Sequence, residues 1–380
     1  MVNRVKLGAP RIRVITIAAG AACSFGAQAQ NNSAVTIYGI FDTGVEYLTN
    51  VGPNGDRMVR MPSLTGTFPS RIGFRGTEDL GGGMKAVFVL EEGFSPDQGS
   101  LNQGGRAWGR QAFVGIGGAW GQVSLGRQYS QIFFSLLSAD TLAPNIYAAG
   151  VLDSYLPNAR VDNSIAYRGT FDAWTVGATY SVGRDAVAPA PAGGCAGESS
   201  SDTKACRHAS AMLAYSTKEW GVAAAYDSNA GGAGAGSPLP LSSQTDTRKM
   251  INGFYTVGPA TIGAGFERRV NEGAPAGNAS TTARSDYWWL GATYRVDVIS
   301  YDLQYGSLKY NDSSTGNGSR VLAARAMYHL SKRTAVYATA GHIDNQGTSA
   351  VSIDGGNISG SAPAAGGQQS GVMLGMRHFF

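Results

Sequence analysis

In AVTIYGIFDTGVEY, residues 34–47, Val35, Ile37, Phe41 and Val45 fall on one parity and Thr36, Tyr38, Asp42 and Glu46 on the other. That period of two is the mark of a strand with one apolar and one polar face. Ser70–Thr77 repeats it, with Ile72 and Phe74 opposite Arg71 and Arg75. Similar stretches run Met84–Phe94, Arg110–Ile116, Gln122–Arg127, Val161–Arg168, Trp174–Ser181, Ala209–Ser216 and Gly221–Asp227. They continue at Lys249–Val257, Ala260–Arg268, Ser285–Tyr294, Val298–Ser307, Arg320–His329, Thr334–Ile343 and Ser370–Phe380, which makes sixteen strands. Most run about 8 to 11 residues, the length a tilted strand needs to cross a bilayer.

The connections alternate in length. EDLGGG, GGAWG, TFDA, TKEW, GP, RVD and LSKR are short, whereas Leu48–Phe68, Asp185–His208, Ser228–Arg248 and Asp344–Gln369 are long. Short turns on one side and long loops on the other predict an all-β, 16-stranded antiparallel transmembrane barrel. The last strand ends on Phe380 and needs a partner; pairing it with the first strand closes the barrel and removes both edges. Trp174, Trp220, Trp288, Trp289, Tyr294, Tyr328 and Tyr337 fall near strand ends, where amphipathic rings border a membrane. The glycine runs EDLGGG and GGAGAG (Gly231–Gly236) read as a tight turn and a flexible loop tip; neither carries the Lys-Ser/Thr of a phosphate cradle.

One segment breaks the rhythm. Arg127–Arg160, RQYSQIFFSLLSADTLAPNIYAAGVLDSYLPNAR, is long, apolar and aromatic, which is rare between strands unless the segment has a function. It reads either as a surface loop with a helical turn at Ile132–Leu137 or as a loop folded into a wide barrel to narrow it.

Residues 1–29 carry Arg4, Lys6, Arg11 and Arg13, then an apolar run and Ala27-Gln28-Ala29, the pattern of an export signal peptide. The barrel domain is then 30–380. The chain has 30 Lys plus Arg against 26 Asp plus Glu, and the four leader cations account for the difference. Overall charge therefore points to no nucleic-acid partner. Charged residues are 15% where about 25% is usual, and mean hydropathy is −0.11, as expected when an apolar outer face averages with a polar inner one. Cys195 and Cys206 lie in a Gly, Ser and Ala-rich loop; export favours a disulfide between them, and their spacing fits no metal site.

The stretches VTIYGIFDTGVEY, SRIGFRGTEDLGGGMKAVFVLEEGF, GRQAFVGIGGAWGQVSLGRQY, DNSIAY, LSKRTAVYA and the terminal RHFF resemble the general porins of Gram-negative outer membranes, β-proteobacterial type. The resemblance implies a homotrimer of 16-stranded barrels in lipid and lipopolysaccharide, inserted by the barrel-assembly machinery, each a water-filled channel narrowed by an inward-folded third outer loop at 127–160. It implies no cofactor. Members usually carry a basic residue beside the terminal phenylalanine; here Phe379 stands there.

The resemblance also places Arg71, Arg110 and Arg160 in a row of arginines at the narrowest point, and the polar parity of the second strand adds Arg75. Glu91, Asp140 and Asp153 are expected on the opposite side, setting a field across the hole. Small ions and hydrophilic solutes would then diffuse through with a weak preference for anions. A substrate-selective channel for sugars or small acids shares the same fold. An outer-membrane hydrolase is the third reading, for which His342 with Asp344 is the one suggestive pair.

Overall fold

The computed structural model describes residues 34–184, 195–232, 239–273, 283–311, 313, 315–355 and 360–380. The leader, residues 1–29, and most of the GGAGAG tip lie outside the described residues. In chain order the strands are β1 (Ala34–Val51), β2 (Asp56–Arg60), β3 (Arg71–Gly81), β4 (Met84–Gly93), β5 (Gln111–Gly118) and β6 (Gly121–Tyr129). Helix α1 (Gln131–Ala139) and 3₁₀ turns at Ala149–Asp153 and Leu156–Asn158 follow. Next come β7 (Arg160–Phe171), β8 (Trp174–Ser181), β9 (His208–Ser216), β10 (Trp220–Ala230), β11 (Thr245–Val257) and β12 (Ala260–Asn271). The chain finishes with β13 (Ala283–Val296), β14 (Ile299–Tyr310), β15 (Gly318–His329), β16 (Thr334–Gln346) and β17 (Gln368–Phe379).

All neighbours pair antiparallel, and β1 meets β17 in register from Ile40 with Phe379 to Leu48 with Gly371, so the sheet closes. The sixteen alternating stretches are the sixteen wall strands, β1 and β3 to β17. The remaining strand, β2, was not legible in the sequence: DRMVR has no alternation, and it forms because the first outer loop folds back on β1. There Arg60 bonds Glu46 at 2.5 Å and Asp354 at 2.7 Å, tying the first loop to the wall and to the last loop.

Alternation sorts the side chains. Val35, Ile37, Val45, Ile251, Leu303 and Leu374 stand exposed on the outside, as a face against hydrocarbon must. Trp174, Trp220, Trp288, Tyr294 and Tyr328 share that face. Trp289 and Tyr337 do not: they are 1% and 4% exposed and point inward. Trp288 and Trp289 are consecutive, so a pleated strand has to send one each way. The buried apolar residues accordingly sit inside the barrel, where residues 130–159 fill part of the lumen.

At the seam, the Phe380 N–H donates to Gly39 O (3.2 Å) and the Gly39 N–H to Phe380 O (3.3 Å). The Phe380 ring covers Gly39 so closely that a Cβ there would come 2.2 Å from it. Phe379 points inward instead, its ring 6.3 Å from Phe68 and 5.0 Å from the Arg377 guanidinium. Cys195 and Cys206 are disulfide-bonded in an outer loop, and the Cys206 N–H donates to Gly231 O in the next loop.

Two outcomes follow from this wall. Deleting Phe380 removes both end bonds of the seam and should lower the yield of folded barrel, read as heat-sensitive gel migration. Reducing the Cys195–Cys206 bond should speed protease nicking of that loop and leave conductance unchanged, because no wall strand is held by it.

Candidate functional site

Residues 130–159 leave β6 and return to β7, and their two ends are joined by the Ser130 N–H donating to Ala159 O at 2.9 Å. Ile132, Phe133 and Leu136 put one face of α1 against the wall, burying it. Polar contacts then follow the inner circumference. The Gln131 N–H donates to Ser210 Oγ on β9 (3.1 Å) and Asn252 Nδ2 on β11 to Ser135 O (3.0 Å). Thr293 on β13 donates to Thr141 O (3.4 Å), Asn145 Nδ2 to Thr339 on β16 (3.1 Å), and the Tyr147 hydroxyl to Glu46 on β1 (2.8 Å). The wall is shaped to receive this path. A Cβ on Gly263 would lie 1.9 Å from Ala139 O, and one on Gly371 2.6 Å from the Tyr147 hydroxyl. Only glycine lets backbone and ring approach so closely.

The strongest anchor is ionic. Arg248, fully buried on β11, donates from Nε to Asp153 Oδ2 (2.7 Å) and from Nη2 to Oδ1 (3.2 Å), while its Nη1 donates to Asp246 (3.0 Å). Arg269 on β12 bonds Asp246 at 2.8 Å, and the Tyr155 ring lies 4.3 Å under the Arg248 guanidinium. The Tyr155 hydroxyl donates to Asp227 (2.9 Å), whose other oxygen meets His208 at 2.9 Å. Burial alone would raise the Asp153 pKa, but Arg248 and Arg269 hold the carboxyl below its ordinary range. Its contribution to loop docking is therefore complete above a pH of about 4 and is lost only as pH falls well below that.

The opposite stretch of wall gathers arginines. Arg110 donates from Nε to Glu91 (2.7 Å) and from Nη2 to the Tyr129 oxygen (2.8 Å). Arg160 donates from Nη2 to that same oxygen (2.8 Å) and stacks on the ring at 4.6 Å. Arg71 lies 3.4 Å from Glu91, and the Tyr38 hydroxyl donates to Glu91 at 3.0 Å. Arg75 stands exposed over the Tyr38 ring at 5.2 Å. Among Arg71, Arg110, Arg160 and Glu91 the formal charge is three positive against one negative, a net +2. Phe133 stacks on Tyr129 at 3.7 Å, so the inward helix braces the tyrosine that spaces two of the guanidinium groups.

The sequence expectations meet this geometry unevenly. Arg71, Arg75, Arg110 and Arg160 come together on one wall. Arg110 shares parity with outward-facing Val114 yet points inward, because the ladder begins only at Gln111 and the backbone turns at Trp108, where φ is 60°. Glu91 was expected across the hole and is instead inside the arginine cluster, since β3, β4 and β5 are adjacent and its inward parity leaves it no other neighbours. Asp153 and Asp140 do lie in the loop but are spent on the wall. Asp140 accepts from Gln304 Nε2 (2.5 Å) and from the N–H groups of Leu142 and Ala143, and burial raises its pKa against them. His342 pairs with Ser370 Oγ at 2.9 Å rather than with Asp344. Sequence reasoning missed Tyr129, Arg248, Asp246 and Asp227. Asp246 and Arg248 sit on the inward parity of β11, but that strand was read as starting at Lys249.

A closed wall of membrane-length strands around a polar lumen, with a loop docked inside it, defines a β-barrel channel. The chain belongs to the Gram-negative porin family, whose model matches residues 16–348. It is 29% identical to outer membrane porin protein 32 of Delftia acidovorans over 94% of this chain and 97% of that one. It is 27% identical to an outer membrane porin protein of Bordetella pertussis over 76% of this chain and 68% of that one. Among solved structures, the anion-selective porin from Comamonas acidovorans superposes with a TM-score of 0.74 at 25% identity, covering 92% of this chain and all of that one. The trimer form of OmpT from Vibrio cholerae shares the fold at 16% identity, with a TM-score of 0.66. The chain is an outer-membrane, multi-pass porin.

The anchor is open to test. Asp153→Ala leaves Arg248 buried with one partner fewer, and breaking such a pair costs about 3–5 kcal/mol. Open-channel current should become noisy, with sub-levels absent from the wild type; a quiet, unchanged trace would show that Asp153 does not hold the loop. Gly263→Val should do the same from the wall side.

Proposed function

We propose that the porin is a passive-diffusion channel with weak anion preference, in which residues 127–160 form the constriction and Arg71, Arg75, Arg110 and Arg160 line it. The observation that carries the reading is the net +2 cluster on one wall while Asp140 and Asp153, the acids that would oppose it, are bound to Gln304 and Arg248. A fixed cation about 4 Å from a passing anion is worth about 1 kcal/mol at the dielectric of water, and more where loop and wall exclude solvent. Two uncompensated charges suffice to bias ion traffic severalfold. The name of the Comamonas structure, an anion-selective porin, agrees with this reading.

The working unit is a homotrimer, supported by the exposed apolar outer face and by the trimer form among structures of the same fold. Residues 1–29 serve as the export leader. Lipopolysaccharide and the barrel-assembly machinery are the partners such a wall requires. We assign the protein no catalysis: His208 is buried against Asp227, and it is Asp227 that accepts from Tyr155 of the inward loop.

Reversal potential in a dilute potassium chloride gradient tests the selectivity. Wild type should favour chloride, with the preference fading toward 1 M salt, where the Debye length is about 3 Å. Replacing Arg71 and Arg110 with serine takes the group of Arg71, Arg110, Arg160 and Glu91 from +2 to zero, with Arg75 the remaining uncompensated cation of the four arginines, and should shift the potential toward cations. An unshifted potential in that double variant would overturn the assignment of these arginines.

A further inference from the structure

A second group of cations lies toward the short-turn end of the lumen. Arg295 stands one residue from the end of β13, His329 ends β15, and Arg377 comes three residues before the C-terminal Phe380. Arg325 shares inward parity with Ala323 and Met327, and Arg377 with Met373 and Phe379. Ala335 on β16 pairs with His329 on one side and Arg377 on the other, so only a methyl group separates them in that row. The charges that act on the His329 ring are those of Arg377, Arg295, Arg325 and Asp302, which gather around it.

The acids of this group are already committed. Asp302 accepts from Thr293 on one oxygen (2.6 Å) and from Arg325 Nε on the other (2.8 Å). Asp42, opposite Arg377 in the seam, is fully buried and accepts from the Tyr337 hydroxyl (2.6 Å) and from Thr67. Among the described residues neither Arg295 nor Arg377 forms an ion pair, and Arg295 stands exposed in a recess with Thr141 of the inward loop and Thr293. Phe379 positions Arg377. The guanidinium lies 5.0 Å over its ring, the ring meets Phe68 edge-on at 6.3 Å, and Arg71 lies 5.5 Å over Phe68. The position where general porins usually carry a basic residue thus holds, in this chain, the ring that joins Arg377 to the arginine wall.

We propose that Arg295, Arg325, Arg377 and His329 form a second anion station on the periplasmic side of the arginine wall, which transiently binds divalent tetrahedral oxyanions. Guanidinium forks match the oxygens of such an anion, and several cations around one space favour two charges over one. The station goes beyond the selectivity assigned to the constriction, because it is built from other residues and stands whether or not the constriction prefers anions.

Chloride conductance of the full protein in planar bilayers, titrated at matched ionic strength with sodium sulfate or sodium perchlorate, tests the station. Perchlorate has the same shape as sulfate and half its charge. Sulfate should half-inhibit at a roughly tenfold lower concentration, because a second unit of charge doubles the attraction to each fixed cation. Arg377→Gln and Arg295→Gln should each raise that concentration roughly tenfold, with heat-sensitive gel migration verifying the fold. The variant with serine at both Arg71 and Arg110 should keep its sulfate inhibition. Equal inhibition by sulfate and perchlorate in wild type overturns the proposal whether or not the variants fold. Sulfate inhibition that persists in Arg377→Gln and Arg295→Gln but disappears on replacing Arg71 and Arg110 also overturns it, since the anion then binds at the constriction alone.

Discussion

No backbone N–H or C=O can stay unpaired in hydrocarbon, and the structure depends on how that constraint is met. Every wall strand has two neighbours only because β1 reaches β17, and the seam runs to the final residue through Gly39 and Phe380. Closure fixes parity all the way round, since a slip of one residue at any pair would turn apolar positions into the lumen and charged ones into lipid. The arginine wall is a consequence of that register: Arg71, Glu91 and Tyr38 meet because β1, β3 and β4 are held with Tyr38 opposite Gly73 and Gly73 opposite Glu91.

A closed wall also creates a problem for the loop inside it. Residues 130–159 cannot be held by the outer apolar face, and burying their own apolar side chains requires a partner surface on the polar inside. The solution is local. Inward glycines such as Gly263 and Gly371 remove side chains where the loop lies down, and inward polar groups at Asn252, Thr339 and Glu46 accept or donate where its backbone and side chains turn polar. The high glycine content, 54 of 380 residues, thus has a second use beyond turns. Arg248 adds an ionic lock, and its several acidic neighbours make the buried charge tolerable.

The wall was legible because a period of two is a local signal, carried by each strand without reference to the others; all sixteen strands could be read from it. The inward loop was visible as an interruption, with its helix placed at Ile132–Leu137 and found at Gln131–Ala139. Contacts between elements were less legible. Parity says that Glu91 faces inward but not that it faces Arg110, which depends on the stagger of β4 against β5. Tyr129 carried no signal as a site residue, because it followed the strand read as Gln122–Arg127 and fell in the apolar, aromatic segment, where a ring reads as loop packing. Trp289 and Tyr337 misled because aromatics near strand ends read as membrane-border rings, whereas both point inward.

Placing Glu91 within the arginine cluster changes how selectivity should be understood. Three guanidinium groups without a carboxylate would repel one another and splay toward water, widening the distribution of charge positions. Glu91 and the Tyr129 oxygen hold them at 2.7 to 3.4 Å contacts instead, which sacrifices one unit of charge for fixed geometry. A residual +2 attracts an anion, while hydrogen-bond capacity already committed to Glu91 and Tyr129 limits how tightly the anion is held. A channel needs both, since a solute that binds too well at the narrowest point stops conduction. On the proposed anion-channel reading, the carboxylate supports anion passage from within the cationic wall, by ordering the arginines and tempering their grip.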